Sequence, residues 1–458
     1  MLSPMSGHID FLDELRWRGL IHQVTHEEHL RRHLSDPANH PRRAYAGFDP
    51  TSDSLTIGNL VPIMLLVHFR RAGHDPVVVM GGGTGLIGDP SGKSAERMLM
   101  TEEQVRANVE RQREIFERVF RNAAEVDHRS SGSGGAGVPP ASGGPTILNN
   151  LDWLGQLKYL EVLRDIGKHF SVNMMIQKDS VRERLHARDQ GISYTEFSYM
   201  ILQAYDFLHL HEALGVTLQM GGSDQWGNIV GGADLIRRCE ARQEESPAQC
   251  FGLTAPLITK TDGTKFGKTE SGAIWLSAHR TSPYAYYQFW LNAADADVGR
   301  YLRTFTLLGR EEIESIETRH TANPSAREAQ RTLARDATRL LHGPDALHDA
   351  ETATEALFSG NVASLPEHTF REVLADVPTT THDKSTLVGE GLPLVDLLPQ
   401  TSLATSKREA REFLVHGAIS TNGAKAPADA RLTTANLLHG SFIALRRGKK
   451  QWHVCEWK

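Results

Sequence analysis

The stretch Pro76 to Met80 (PVVVM) runs straight into Gly81-Gly82-Gly83-Thr84-Gly85-Leu86-Ile87-Gly88, and this junction constrains the fold more than any other part of the chain. A short β-branched run without polar alternation is the pattern of a strand buried on both faces in a parallel sheet. A glycine-rich stretch at its carboxyl end reads as a ligand-binding turn. Helical apolar spacing recurs in Leu60–Arg71, in Thr101–Val119 with its acidic first turn, and in Leu157–Ile166. Strands alternating with helices predict an open α/β sheet.

The glycines alone admit three readings. Gly83, Gly85 and Gly88 fit G-x-G-x-x-G after a strand, the dinucleotide fingerprint, which would build a nicotinamide-dependent oxidoreductase. Asp89-Pro90 interrupts the entry into a helix, however, and an anionic Asp89 suits a pyrophosphate poorly. Gly92-Lys93-Ser94 supplies the ending of a phosphate loop, but three residues rather than four separate Gly88 from Gly92. The third reading is a turn whose glycines only allow close packing.

At 458 residues the chain predicts two or three domains. Its longest apolar run, Leu60 to Phe69, is interrupted by Pro62 and His68 and falls short of the ~20 residues of a membrane span. Met1 to Leu20 carries Asp10, Asp13, Glu14, Arg16 and Arg18 with no apolar block, so retention in the cytoplasm is expected. Cys239, Cys250 and Cys455 have neither disulfide-framework nor zinc-ligand spacing, so neither a disulfide framework nor a structural metal is expected. A net charge of −6 argues against a generally basic nucleic-acid binder while leaving local basic patches open.

Several separate motifs, in order, carry a family resemblance. They are YAGFDPTSDSL from Tyr45, followed by Thr56-Ile57-Gly58-Asn59; TGLIGDPSGK from Thr84; FSYMILQAYDF from Phe197; QMGGSDQWGN from Gln219; KFGKT over Lys265 to Thr269; and PYAYYQFW from Pro283. Together they resemble bacterial tyrosyl-tRNA synthetases over nearly the whole chain, with TIGN and KFGKT as counterparts of the two class I signature motifs. Two features depart from that pattern. Thr56 and Asn59 stand where the first motif usually has histidines, and the low-complexity insertion Ser130 to Pro145 (SSGSGGAGVPPASGGP), which reads as a mobile surface loop, is foreign to the family.

The resemblance implies a Rossmann-like parallel-sheet catalytic domain over residues 1–275, an all-α domain over 276–375, a linker over 376–391 and a small α+β RNA-binding module over 392–458. It implies tyrosine and ATP as substrates, magnesium accompanying the ATP, transfer RNA for tyrosine as partner, and a homodimer. Tyr45 and Asp206 would meet the phenolic hydroxyl of tyrosine. Asp89, Tyr199, Gln203 and Gln225 would line the rest of the amino-acid pocket; an anionic Asp89 is the natural partner of an ammonium. Tyr199, Gln203 and Asp206 share one face of a helix by spacing. Asp49, Thr51, Gly58, Gly222 and Asp224 would contact the nucleotide, and Asp224 the ribose. Lys265, Lys268, Thr269, Lys93 and Arg97, with Thr56 and Asn59, would stabilise the departing pyrophosphate, because adenylate chemistry needs positioning and positive charge rather than a protein nucleophile. Lys407, Arg408 and Arg411, joined by Arg446, Arg447, Lys449 and Lys450, would face RNA. A catalytically weakened relative that only binds RNA is the other reading of these motifs.

Overall fold

The computed structural model describes residues 9–89, 100–131, 144–178, 181–182, 192–240, 249–264, 266–269, 272–375, 377–448 and 451–458. Lys93, Arg97, Lys265, Lys449, Lys450 and nearly all of the 130–145 insertion lie outside these residues, as do the side chains of Ser130, Ser131 and Thr269.

Six strands form the central sheet: β1 (Gln23–Val24), β2 (Arg43–Phe48), β3 (Asp75–Met80), β4 (Thr146–Asn149), β5 (Val216–Gly222) and β6 (Phe251–Ala255), in the order β1-β6-β5-β2-β3-β4. All neighbours are parallel except β1 against β6. Val77, Val78, Val79 and Met80 are all buried in β3, as their unbroken apolar run predicts. The chain runs outward from β2 through β3 to β4, then returns to build β5 and β6 on the other side. The switch point therefore falls between β2 and β5, and the crevice beyond their carboxyl ends is where an open α/β sheet takes its ligand.

Helix Leu60–Arg71 follows β2 at the predicted bounds and buries every residue from Leu60 to Arg70 except Pro62. Helix Glu102–Ser131 is longer than its predicted core and continues to the start of the insertion. The helix expected at Leu157–Ile166 is instead one turn at Tyr159–Glu161 followed by a π-turn at Val162–Ile166. Its residues are exposed or half-buried, so no core face stabilises a regular helix. Helix Tyr194–Leu214 is closed at both ends: the Ser193 side chain accepts from the Glu196 amide, and Gly215 takes a left-handed φ of 66°.

The chain divides into two compact units, residues 1–281 with 289–343, and residues 282–288 with 344–458. The predicted all-α stretch 276–375 is thus shared between them. Helices Asp295–Phe305, Arg310–Ala322 and Glu328–His342 belong to the first unit, where Arg118 Nε donates to the Leu341 carbonyl at 2.7 Å and Asn122 Nδ2 to that of Leu340 at 3.0 Å. A switch from strand to helix patterning marks a change of element, not of packing partner.

In the second unit, helices Pro344–Ser359 and Glu367–Val373 bury Ala353, Ala356, Phe370 and Val373 against Phe442, Ala444 and Val454 of the tail sheet. The stretch 376–391, expected as a linker, contributes strand Thr379–His382, which pairs in parallel with Gln451–Trp457. Its polar threonines gave no apolar signal because the strand lies at the sheet edge. Helix Lys407–Val415 buries Ala410 and Leu414 and leaves Lys407, Arg408 and Arg411 exposed.

Candidate active site

A cavity of about 950 Å³ opens at the carboxyl ends of β2, β3 and β5. It exceeds the roughly 580 Å³ cavity lined by Arg70, Arg113 and His128, and it lies at the switch point where that one does not. Each strand delivers its end residues to the rim because the next loop must leave the sheet there.

The inner end is built around Asp206. Its carboxylate, 4% exposed, accepts from Asn150 Nδ2 at 2.8 Å and Trp153 Nε1 at 2.7 Å. Burial pushes this carboxyl up to about 7, although both donors favour the charged form. Tyr45 is buried beside it, and burial together with the Asp206 charge holds its phenol above the ordinary tyrosine range. The Tyr45 hydroxyl and Gln219 Oε1 are buried without a hydrogen-bond partner among the described residues, and both residues line the cavity. Buried polar atoms left in this way mark where a polar ligand atom belongs.

The outer end is acidic. Tyr199 donates its hydroxyl to Asp49 Oδ2 at 2.9 Å, and Thr84 Oγ1 donates to Asp49 Oδ1 at 2.7 Å. Gln225 Nε2 donates to Asp89 Oδ2 at 2.7 Å and to Asp224 Oδ2 at 3.2 Å, while its Oε1 accepts from Gln203 Nε2 at 3.3 Å. Asn150 Nδ2 also reaches Thr84 Oγ1 at 3.0 Å, so one chain of hydrogen bonds joins Asp206 to Asp49. Gly81 has no room for a side chain, because a Cβ there would sit 2.2 Å from Asp49 Oδ1. The glycines of this loop thereby serve close approach to Asp49 and, at Gly85, to Pro50.

The cavity lining contains Tyr45, Asp89, Tyr199, Gln203, Asp206 and Gln225. It also contains Asp49, Thr51, Thr56, Gly58, Asn59, Gly222 and Asp224. Lys268 stands apart on the hairpin Lys268–Thr269/Gly272–Ala273, exposed and outside the lining. Thr56 is turned inward: its hydroxyl donates to Asn59 Oδ1 at 3.0 Å, which also accepts from the Thr56 amide at 3.0 Å. The two positions that depart from the signature therefore bind each other and cap the turn Ile57–Asn59.

Asn150, Trp153 and Gln219 were not among the residues singled out from the sequence, and neither were Trp275 and Phe266. Asn150 and Trp153 lie 56 and 53 residues from Asp206. The only local signal was an Asn-Asn-Leu-Asp-Trp run directly after a strand. Phe266 sits among Phe289, Trp290, Tyr301 and Phe305, with centroids 5.2–6.0 Å away. Among the described residues no group of three His, Cys, Asp or Glu side chains is arranged to hold a metal ion, and no helix is long and apolar enough to cross a membrane.

The family model for class I tRNA synthetases (W and Y) matches residues 37–359, and that for the tyrosine–tRNA ligase SYY-like C-terminal domain matches 369–455. The tyrosine–tRNA ligase of Bacillus caldotenax is 48% identical over 447 residues, covering 97% of this chain and 99% of the relative. That of Aliivibrio fischeri is 48% identical over 456 residues, covering 99% and 100%. A crystal structure of a C-terminally truncated mitochondrial tyrosyl-tRNA synthetase from Aspergillus nidulans superposes with a TM-score of 0.67 at 30% identity, covering 76% of this chain and 94% of that one. With two family models and full-length relatives matching a site already built at the switch point of the sheet, the chain belongs to the tyrosine–tRNA ligases, class I tRNA synthetases.

Proposed function

We propose that the chain joins L-tyrosine to ATP as tyrosyl-adenylate, releasing pyrophosphate, and passes the tyrosyl group to transfer RNA for tyrosine, releasing AMP. The observation that carries this reading is the polarity of the cavity. A buried carboxylate and an unpartnered phenol close its inner end, and carboxylates gather at its outer end. Tyrosine matches both ends. Its hydroxyl donates to Asp206 and accepts from Tyr45, and its ammonium meets Asp89, Tyr199 and Gln203, with Gln225 fixing Asp89 and Gln203. The tyrosine carboxylate then points toward the nucleotide side, where Asp49, Thr51, Gly58 and Gly222 shape the site and Asp224 takes the ribose hydroxyls.

In the first step a carboxylate oxygen of tyrosine bonds to the α-phosphorus of ATP while the bond to the β-phosphate oxygen breaks. Negative charge builds on the pyrophosphate. Lys268, solvated at the base of its hairpin, approaches as that loop closes, joined by Lys265, Thr269, Lys93 and Arg97. Thr56 and Asn59 hold the floor of this region as a capped turn. Magnesium arrives bound to the ATP phosphates as part of the substrate. In the second step a terminal ribose hydroxyl of the RNA attacks the tyrosyl carbonyl and AMP departs. Lys407, Arg408 and Arg411 present charge to the RNA backbone from the second unit.

A homodimer is supported by exposed apolar side chains in the first unit: Tyr159, Leu160, Leu163, Val172, Met174, Ile176 and Tyr194 all face solvent, and a partner subunit would cover such side chains where they adjoin. Tyrosine-dependent exchange of labelled pyrophosphate into ATP tests the activation step directly. A folded chain that binds RNA without exchange would instead be the weakened, RNA-binding relative.

A further inference from the structure

Asp53 lies within the first motif, yet the roles assigned so far leave it unused. Its side chain is only 16% exposed and its carboxylate meets two arginines and a histidine. Arg280 reaches Oδ1 through Nη2 at 2.6 Å and Nε at 2.8 Å, His279 Nε2 lies 3.0 Å from Oδ2, and Arg111 Nη1 lies 3.4 Å from Oδ2. Arg280 also covers the ring of Trp275 at 4.8 Å, and Trp275 lines the cavity.

Residues 274–280 are the segment by which the chain returns from the Lys268 hairpin. They are stitched to the first motif along their length. Ile57 N donates to the Ile274 carbonyl at 2.9 Å, Leu276 N to that of Leu55 at 2.8 Å, and Ser277 N to Ser54 Oγ at 3.0 Å. At the hairpin itself Ile274 N donates to the Gly267 carbonyl at 2.9 Å, and a Cβ on Gly267 would stand 2.3 Å from Ile57 Cγ2. The backbone bonds fix the register of this seam. The Asp53 contacts fasten its far end, so the hairpin carrying Lys268 extends from a stem held at two points rather than hinged on one.

We propose that Asp53 and Arg280 are positioning residues for tyrosine activation: their ion pair holds residues 274–280 against the Ser54–Ile57 turn and thereby sets where Lys268 meets the phosphates. This rests on the adenylate reading above. The arginine side of this pair is open to solvent, with Arg280 41% exposed, and such pairs add little to overall stability. A misplacement on the order of 1 Å of a charged group, by contrast, costs much of a rate that depends on geometry.

The test uses the full-length chain carrying Arg280→Ala, Asp53→Asn, both together, or Arg280→Lys. Stopped-flow measurement at saturating tyrosine gives the rate constant of adenylate formation, and equilibrium titration gives the tyrosine Kd. The expected result is a rate constant about tenfold lower in each of the first two variants, tyrosine affinity within about twofold of the parent, no further loss in the double variant, and recovery in Arg280→Lys. Rate constants within about twofold of the parent overturn the proposal, as does multiplication of the two losses in the double variant or a parallel fall in tyrosine affinity. If a single variant fails to fold, the exchanged pair Asp53→Arg with Arg280→Asp decides: recovery of rate supports the positioning role, and a folded but slow protein refutes it. An active parent with unaffected variants removes only the positioning role, whereas a parent inactive in pyrophosphate exchange removes the adenylate reading with it.

Discussion

Replacing Trp153 with phenylalanine removes one donor from Asp206 and keeps most of the ring. The indole stacks on His209 at 4.7 Å and 19°, a contact phenylalanine retains in large part, so the lost interaction is the 2.7 Å bond from Nε1 to Asp206 Oδ1. A hydrogen bond to a charged group contributes about 1.5–3 kcal/mol, and at about 1.36 kcal/mol per pKa unit its loss raises the Asp206 carboxyl by about 1–2 units. In the parent, burial outweighs the two donors and sets that carboxyl at about 7. In the variant it titrates at about 8–9, and the ionised form that accepts the substrate phenol becomes the minor form near neutrality. Taking about 8.5 for the variant, the ionised fraction at pH 7.5 falls from about three quarters to about one tenth, so kcat/KM for tyrosine drops roughly eightfold. The ratio widens to about thirtyfold below pH 6 and closes to near unity by pH 9.5, because both carboxyls are then ionised. Pyrophosphate exchange measured across this range on parent and variant gives the ratio directly. A ratio that does not change with pH would refute the reasoning, since Trp153 would then act by shape and not by holding the charge on Asp206.

Asp206→Ala should lower the preference for tyrosine over phenylalanine by about five- to 150-fold, as about 1–3 kcal/mol of discrimination rests on each buried polar group left unpaired by phenylalanine; an unchanged preference would take Asp206 out of the pocket. Thr56→Val removes the hydroxyl that binds Asn59 and loosens the capped turn by about 1 kcal/mol, so adenylate formation should slow roughly fivefold with tyrosine Kd unchanged; parent-like stopped-flow rates would make Thr56 a packing residue. Replacing Lys407, Arg408 and Arg411 together by alanine should weaken transfer-RNA binding and flatten its dependence on salt by about one unit of slope per lost phosphate contact, leaving pyrophosphate exchange intact; an unaltered salt slope would exclude them from the RNA surface. A chain ending at Thr380 strips Phe442, Ala444 and Val454 from Phe370 and Val373, so it should aggregate or bind a hydrophobic dye; a monodisperse product with a cooperative melt would show that this seam is dispensable.

Much of the sheet is written locally. The unbroken apolar run at β3 and the helix Leu60–Arg71 appear where short-range pattern puts them, because a strand buried on both faces and a helix buried almost all round each leave a continuous apolar signature. The spacing of Tyr199, Gln203 and Asp206 likewise fixes one helical face whatever surrounds it. What the sequence could not contain is the pairing of residues distant along the chain. Asn150 and Trp153 converge on Asp206 only because β4 ends beside the helix Tyr194–Leu214, and the raised titration of Asp206 comes from burial that no local pattern encodes. The division of the helical stretch near Gly343 and the recruitment of Thr379–His382 into the tail sheet were decided in the same way, by which apolar faces found each other and which edge strand still had backbone groups to satisfy. Thr56 shows both sides of this: its identity was plain from the motif, but its commitment to Asn59 follows from the turn that places one hydroxyl 3.0 Å from one amide oxygen.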